Sequence, residues 1–364
     1  MVPYPPVLHG RNDCKTSIAN NAGVIRGGVP ITAVKEVGMI RSQIIGTGHF
    51  LPEKVLTNKD LEQFVDTTDE WIVQRTGIQQ RHMANDGEGA SDLGAPAALR
   101  AIASAGLTPE DIDLILCCTM SPDYLFPSTA CLIQSKIGAS RAAAMDVNAA
   151  CSGFLYGLSV ANAHIQSGQY KTALVIGSER VTNILNWERR DTAVLFGDGA
   201  GAVVLRAAEG DRGILSMFLG ADGTQGNLLI REGGGSKYPI TPENYASGLR
   251  DIVMKGQDLF RRAVVVFGGA VQKALEQNGM TSDDLDVFIP HQANVRIIMA
   301  AAERVGLPEE KVYLNINRTA NTTSASIPIA LDQACAEGRI REGSIVLVAS
   351  FGAGLTWGSS IIRW

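Results

Sequence analysis

The 364-residue chain has no apolar run of the roughly 18 to 20 residues that a membrane-spanning helix needs, which excludes a helical membrane anchor. Its six cysteines, at positions 14, 117, 118, 131, 151 and 335, include no C-x-x-C and no paired spacing. A zinc module and a disulfide-stapled secreted domain are thereby excluded, and reduced thiols in a cytoplasmic setting are expected. Positive charge is also short. With 32 Lys and Arg against 37 Asp and Glu, a net charge of −5 argues against wholesale nucleic-acid binding. Residues 1–38 lack the compact apolar core of a secretory signal. They carry Pro3, Pro5 and Pro6 and no sustained periodicity, and are read as a disordered N-terminal extension or a start placed upstream of Met39, in preference to a transit peptide.

What remains is ordinary for a globular protein: 45% apolar and 19% charged residues, long enough to fill a large core or two packed half-domains. From Ile40 onward, strand-like and helix-like segments alternate, which points to α/β layers. Asp60 to Thr76 reads as one or two helices with Asn58 as N-cap, and Ala90 to Gly106 as an amphipathic helix closed by its glycine. Ile112 to Thr119 is a continuous apolar run and reads as a buried strand.

An internal repeat organises these segments. Gly106-Leu-Thr-Pro-Glu-Asp-Ile-Asp recurs in kind at Gly279-Met-Thr-Ser-Asp-Asp-Leu-Asp, an offset of 173 (279 − 106). The apolar strand ending at Ser178 matches one ending at Ser350, an offset of 172 (350 − 178). A third pair sets Phe196-Gly-Asp-Gly-Ala-Gly beside Phe351-Gly-Ala-Gly. Two copies of one α/β unit related by a pseudo-dyad are expected, an N-terminal half over 39–212 and a C-terminal half over 213–364. An offset near 172 puts Asn321 and Thr323 opposite Ala149 and Cys151, and His291 opposite Thr119. Cys151, His291 and Asn321 then converge although they are distant in sequence.

Their chemistry fits together. An apolar approach over Arg141 to Val147 turns at small residues, and a helix-patterned run begins at Cys151 itself. A thiol at a helix N-terminus feels the field of unpaired N–H groups, which lowers its pKa. Alone, Cys151 is equally well a buried filler, His291 a turn histidine after Pro290, and Asn321 a helix cap. Together they supply a nucleophile and neutral N–H donors without a carboxylate to act as hydrolytic base, a set suited to negative charge developing on a thioester oxygen. The Phe351-Gly-Ala-Gly354 loop allows a backbone N–H to approach the same point.

With these motifs in order, the sequence resembles the β-ketoacyl-acyl-carrier-protein synthases III of the thiolase fold. The resemblance runs from about Ile44 to Trp364 through Gly46-Thr-Gly, Asp69-Glu-Trp-Ile-Val-Gln-Arg-Thr-Gly77, Ala149-Ala-Cys-Ser-Gly153, Phe196-Gly-Asp-Gly-Ala-Gly201, Pro290-His-Gln-Ala-Asn294, Asn321-Thr and Phe351-Gly-Ala-Gly. It implies a five-layered αβαβα fold of two pseudo-dyad-related halves, a homodimer, no metal and no permanently bound cofactor. It also implies a decarboxylating Claisen condensation that initiates fatty-acid synthesis, with acyl-CoA loading Cys151 and malonyl-acyl-carrier protein as the second substrate. His291 and Asn321 would hold the malonyl thioester oxygen, and the N–H groups of Cys151 and Ala353 would form the oxyanion hole. By the same resemblance Trp71, Arg75, Arg190 and Asn294 meet CoA, Arg296 meets the carrier protein, and Phe126 reaches into the partner's acyl pocket.

Three departures bear on the acyl chain: Ala353 and Ala320 where glycine is common, and a long Leu229 to Leu249 stretch containing Gly233-Gly-Gly235. The competing readings are a starter-loading acyltransferase of secondary metabolism and a non-catalytic heterodimer partner. A degradative thiolase would need a second cysteine in the Phe351-Gly-Ala-Gly loop, which has none.

Overall fold

The computed structural model describes residues 40–208 and 210–364, so the expected extension over 1–38 lies outside the described residues. The first half opens with β1 (Arg41–Phe50), β2 (Lys54–Thr57), the short helices α1 (Asn58–Leu61) and α2 (Asp69–Thr76), and β3 (Gln80–Met83). It continues through α3 (Ala90–Ser104), β4 (Leu114–Cys118), α4 (Thr129–Ile137), β5 (Ala143–Val147) and α5 (Gly153–Gln166). Strand β6 (Thr172–Glu179), α6 (Arg190–Ala193) and β7 (Gly199–Ala208) complete it. The second half runs through β8 (Gly213–Ala221), a small ribbon of β9 (Leu229–Ile230) and β10 (Val253–Met254), α7 (Gly256–Asn278) and β11 (Val287–Pro290). It ends with α8 (Val295–Arg304), α9 (Ile316–Thr319), α10 (Ser326–Ala336), β12 (Ile345–Gly352) and β13 (Thr356–Arg363).

Two sheets dominate. One has the order β1-β7-β6-β4-β5 and the other β11-β12-β13-β8, with β4 parallel to β5 and β6, and β11 parallel to β12. The second sheet is the first in pseudo-symmetric form, and an isolated parallel bridge from Phe288 to Val312 stands where β5 would pair. Buried strands with both faces covered read as continuous apolar runs, which is why Leu114–Cys118 and Val287–Pro290 are wholly buried.

The cores give the layering. Residues of α5 and α10 pack together between the inner faces of the two sheets, where Leu155, Leu158, Ile327 and Leu331 meet Leu116, Val175, Ile289 and Val348. Outside the first sheet lie α3 and α4, with Ala98 and Ile133 on Ile115 and Ile176. Outside the second lie α7 and α8, with Phe267 and Ile298 on Phe288 and Leu347. This is the five-layered αβαβα arrangement of the thiolase fold.

The repeat offset holds through the matched elements, with one refinement. The 3-10 turns Pro109–Asp111 and Ser282–Asp284 carry the same capping box, Thr108 with Asp111 and Thr281 with Asp284. The turns that lead into α5 and α10 span Ala150–Ser152 and Thr323–Ala325. Their offset is 173 (323 − 150), so the mate of Cys151 is Ser324 and that of Asn148 is Asn321, one residue from the expected register. Phe196 and Phe351 are not equivalent, because Phe351 belongs to β12 whereas Phe196 lies in the longer connection before β7.

Asn58 is also not the cap of α1. Thr57 takes that place, bonded reciprocally to Asp60 three residues on. The Asn58 side chain is instead buried, donating to Asp69 at 2.8 Å and to the Ile78 carbonyl at 2.7 Å, and accepting from the fully buried Arg81 at 2.9 Å.

Candidate active site

Cys151 sits on a strained turn. After β5, the Asn148 Oδ1 accepts from the Ala150 N–H at 3.2 Å, Ala150 takes φ +48°, and α5 begins only at Gly153. A non-glycine residue in this left-handed region costs on the order of 1 kcal/mol and persists only where its surroundings impose it. Cys151 therefore lies within the lead-in turn, 5% exposed, and not at the first position of the helix. This corrects the expectation of a lowered thiol pKa. Burial pushes the Cys151 thiol up to about 12, and a backbone N–H only partly opposes it. The unacylated protein holds a thiol.

His291 and Asn321 come from the second half. His291 follows the end of β11, 1% exposed, with its N–H donating to the Ala349 carbonyl at 2.8 Å. Its Nδ1 lies 2.7 Å from Ser326 Oγ, which also accepts from the Gln292 N–H at 3.3 Å. The network closes when the Ser326 hydroxyl donates to Nδ1, which leaves the proton on Nε2. Burial drives the His291 pKa down to about 3, so the ring is neutral. Asn321 is 6% exposed, and its Oδ1 accepts from the Thr323 N–H at 2.9 Å, fixing the side chain's orientation. Among the described residues its Nδ2 has no protein acceptor and is free to donate.

These residues meet where expected. Cys151, His291 and Asn321 line one cavity of about 110 Å³, with Asn294, Phe351 and Gly352. Cys151 also opens onto a second, larger cleft of about 960 Å³, where Ala353, Ile184, Leu229 and Ile252 form part of the wall. The thiol thus stands at the junction of two compartments. The wall includes Ile230, Arg231, Gly233, Gly234 and Gly235, so the long Leu229 to Leu249 stretch borders the cleft.

Strand β12 pins the Cys151 backbone. Ser350 Oγ donates to the Cys151 carbonyl at 3.1 Å, and a Cβ on Gly352 would fall 2.8 Å from the Cys151 nitrogen. Glycine is required there. Thr356 Oγ1 bonds the Ala149 and Ala353 carbonyls at 2.9 and 3.2 Å, tying the glycine loop to the nucleophile turn.

Of the other sequence-predicted residues, Trp71, Arg75 and Arg190 cluster away from both cavities. The guanidinium carbons lie over the indole ring at 5.1 and 4.6 Å, a cation–π arrangement. Asn294 caps α8 through Oδ1 and donates to the Arg75 carbonyl at 2.9 Å, so both ends of its amide are engaged within the protein. Arg296 is exposed, its guanidinium over the Phe260 ring at 5.5 Å. Phe126 is 86% exposed beside Leu125 at 82%, outside its own chain's cavities. Among the described residues, no group of His, Cys, Asp or Glu is placed to hold a metal, and no helix is long and apolar enough to cross a membrane.

Sequence reading missed Glu179, Ser326 and Ser350. Glu179 is wholly buried at the end of an otherwise apolar strand, and its signal was an acidic residue closing Leu174-Val-Ile-Gly-Ser. The two serines carry no signal apart from the partners that the fold brings to them.

The chain matches known proteins over this same ground. Residues 145–223 match the family described as 3-oxoacyl-[acyl-carrier-protein (ACP)] synthase III, and residues 275–364 match its C-terminal counterpart. A β-ketoacyl-[acyl-carrier-protein] synthase III from Caldanaerobacter subterraneus subsp. tengcongensis is 50% identical over 325 residues, 89% of this chain and 98% of that protein. The crystal structure of 3-oxoacyl-[acyl-carrier-protein] synthase III from Aquifex aeolicus VF5 superposes with a TM-score of 0.83 at 44% identity, covering 89% of this chain and 100% of that one. The priming β-ketosynthase of the R1128 polyketide pathway superposes with a TM-score of 0.83 at 35% identity, covering 90% and 97%. With Cys151, His291 and Asn321 gathered at one cavity and these likenesses over most of its length, the chain belongs to the β-ketoacyl-[acyl-carrier-protein] synthase III family.

Proposed function

We propose that the protein joins an acyl group from acyl-CoA to the two-carbon unit of malonyl-acyl-carrier protein, giving the β-ketoacyl-carrier protein that begins fatty-acid synthesis. The observation that carries this reading is the set around one cavity: a buried Cys151 thiol, a neutral His291 and an Asn321 amide free to donate.

In the first half-reaction Cys151 Sγ attacks the acyl-CoA thioester; the new S–acyl bond forms, the CoA–acyl bond breaks, and the thiol proton leaves with CoA. The Cys151 and Ala353 N–H groups hold the developing oxyanion. In the second, His291 Nε2 and Asn321 Nδ2 donate to the malonyl thioester oxygen. The C–CO₂ bond breaks, and its electron pair becomes an enolate that the two donors stabilise. The enolate carbon attacks the acyl-Cys151 carbonyl, and the Cys151 sulfur leaves and takes up a proton. A neutral imidazole suits this role because it donates to the enolate oxygen without giving up a proton to it.

Trp71, Arg75 and Arg190 receive the CoA nucleotide, by stacking and phosphate pairing, and Asn294 lines the route inward. Arg296 contacts the acidic carrier protein, and Phe126 closes the acyl cleft of the other subunit in a cytoplasmic homodimer. The residues 39–212 hold the nucleophile and 213–364 the donors, with no permanently bound cofactor. The likeness to a priming ketosynthase of a polyketide pathway favours, as second reading, starter loading in secondary metabolism.

Intact-protein mass spectrometry after incubation with a panel of acyl-CoAs tests the first half-reaction. One acyl group should add to wild type and none to Cys151→Ala, with the best-loaded chain naming the primer. Wild type that loads but releases no CO₂ from malonyl-carrier protein would move the assignment to the starter-loading reading.

A further inference from the structure

Glu179 is the one buried acid beside the nucleophile that the mechanism above does not use. It is 0% exposed at the end of β6 and forms no ion pair among the described residues. Arg180, the next residue, turns its guanidinium to the Glu88 carbonyl and Asp86 instead. A carboxylate without a cation is costly at such depth, and burial pushes the Glu179 carboxyl above its ordinary range.

The hydrogen bonds locate the proton. On Oε2 converge the Thr119 hydroxyl at 3.2 Å, the Met120 N–H at 3.2 Å and the Ser121 hydroxyl at 2.6 Å. Thr119 Oγ1 already accepts from the Ser121 N–H and Ser121 Oγ from the Arg180 N–H, so both hydroxyls have their protons free for Oε2. Oε1 shares the Met120 N–H at 3.3 Å and faces Ser324 Oγ at 2.6 Å, and that hydroxyl is also 2.7 Å from the Cys118 carbonyl, which can only accept. The single Ser324 proton satisfies Cys118. With that proton on Cys118, the short contact to Oε1 is bridged by a proton on the carboxyl itself, the form that burial without a cation favours.

The residues bridged lie on both halves. Thr119, Met120 and Ser121 follow β4 of the first half, whereas Ser324 belongs to the turn that begins at Asn321 in the second. That turn holds Thr323 at φ +48° and is joined to the first half at Asn321 by backbone bonds to Leu195 and Gly197. Pseudo-symmetry adds a second observation: β6 and β12 are in step at an offset of 173, so Glu179 occupies the place of Gly352 (352 − 179), as Ser324 occupies that of Cys151. Where the second half brings only glycine backbone against Cys151, the first half places a side chain against Ser324.

We propose that Glu179 is a positioning residue which, as a neutral carboxylic acid, clamps the Asn321–Ser324 turn and so aims the Asn321 amide at the malonyl thioester. This rests on the condensing reading above. It predicts a split between the half-reactions, because Asn321 serves decarboxylation and Cys151 serves loading. Glutamine can replace the acid, its amide N–H donating to Ser324 and its carbonyl accepting on the other side.

The test compares wild type, Glu179→Ala and Glu179→Gln in two assays: acyl loading of Cys151 by intact mass, and CO₂ release from malonyl-carrier protein. The alanine variant should load within about threefold of wild type but release CO₂ on the order of 100-fold more slowly, the scale of losing one oriented donor. The glutamine variant should recover most of that loss. Equal loss in both assays, or a glutamine variant no better than alanine, would overturn the proposal. If Glu179→Ala does not fold, Glu179→Gln decides alone: near-normal CO₂ release supports the neutral clamp, and a 100-fold loss shows that a carboxylate is required. Wild type that neither loads nor decarboxylates would overturn the condensing reading itself, and the role of Glu179 with it.

Discussion

At the scale of single residues, protonation states decide the chemistry, and burial decides the protonation states. His291 has a folded-state pKa near 3 against an ordinary value of 6.5. Between these values the unfolded chain binds the proton and the folded one does not, so stability is full above pH 6.5 and is lost as pH falls toward 3. Urea unfolding at pH 7, 6 and 5 should show wild type losing up to ~1.4 kcal/mol per pH unit more than His291→Asn. Equal slopes would mean that the ring is not held neutral. That Cys151, His291 and Asn321 meet at one cavity was legible in the sequence, because the repeat brings the lead-in turns of two equivalent helices and the end of a strand to a common centre. Their protonation was not. The high pKa of Cys151 comes from neighbours distant in sequence, and Glu179 escaped notice because an acid at a strand end ordinarily faces water.

At the scale of elements, short turns do most of the positioning. The turns before α5 and α10 each use an asparagine side chain that accepts from the N–H two residues on, and each forces a non-glycine residue to φ +48°. Such geometry is invisible to helical periodicity, which is why the helix was placed two residues early at Cys151 and the halves were aligned one residue out of step. Gly352 shows how little slack remains. In Gly352→Ala the new methyl would meet the Cys151 and Ser152 backbone nitrogens at 2.8 and 3.0 Å. Overpacking of this kind costs about 1–3 kcal/mol, so a lower urea midpoint is expected, together with loading of Cys151 at least roughly tenfold slower. Loading at the wild-type rate would show that the turn can shift without consequence.

At the scale of the whole molecule, the layered architecture was readable because each half alternates buried strands with amphipathic helices and the repeat supplies their pairing. The association of chains leaves a fainter trace. Tyr124, Leu125 and Phe126 stand 61%, 82% and 86% exposed on one loop, an apolar surface that the proposed homodimer would cover with a second copy. On the proposed dimer, in which Phe126 closes the opposite subunit's cleft, Phe126→Asp should shift the sedimentation coefficient toward monomer and weaken discrimination among acyl-CoAs. An unchanged dimer with unchanged acyl preference would place this loop outside the interface.

The pseudo-dyad also limits how often the reaction is performed. Duplication built a frame with two equivalent berths at the ends of the central helices, each with a turn, a supporting strand and an asparagine. At one berth β12 ends in Gly352, which brings only backbone against Cys151 and leaves that residue lining both cavities; the other is stoppered by the Glu179 side chain against Ser324. On the proposed roles, the stoppered berth serves as the keystone that steadies its twin, and each chain carries a single acyl cargo at a time.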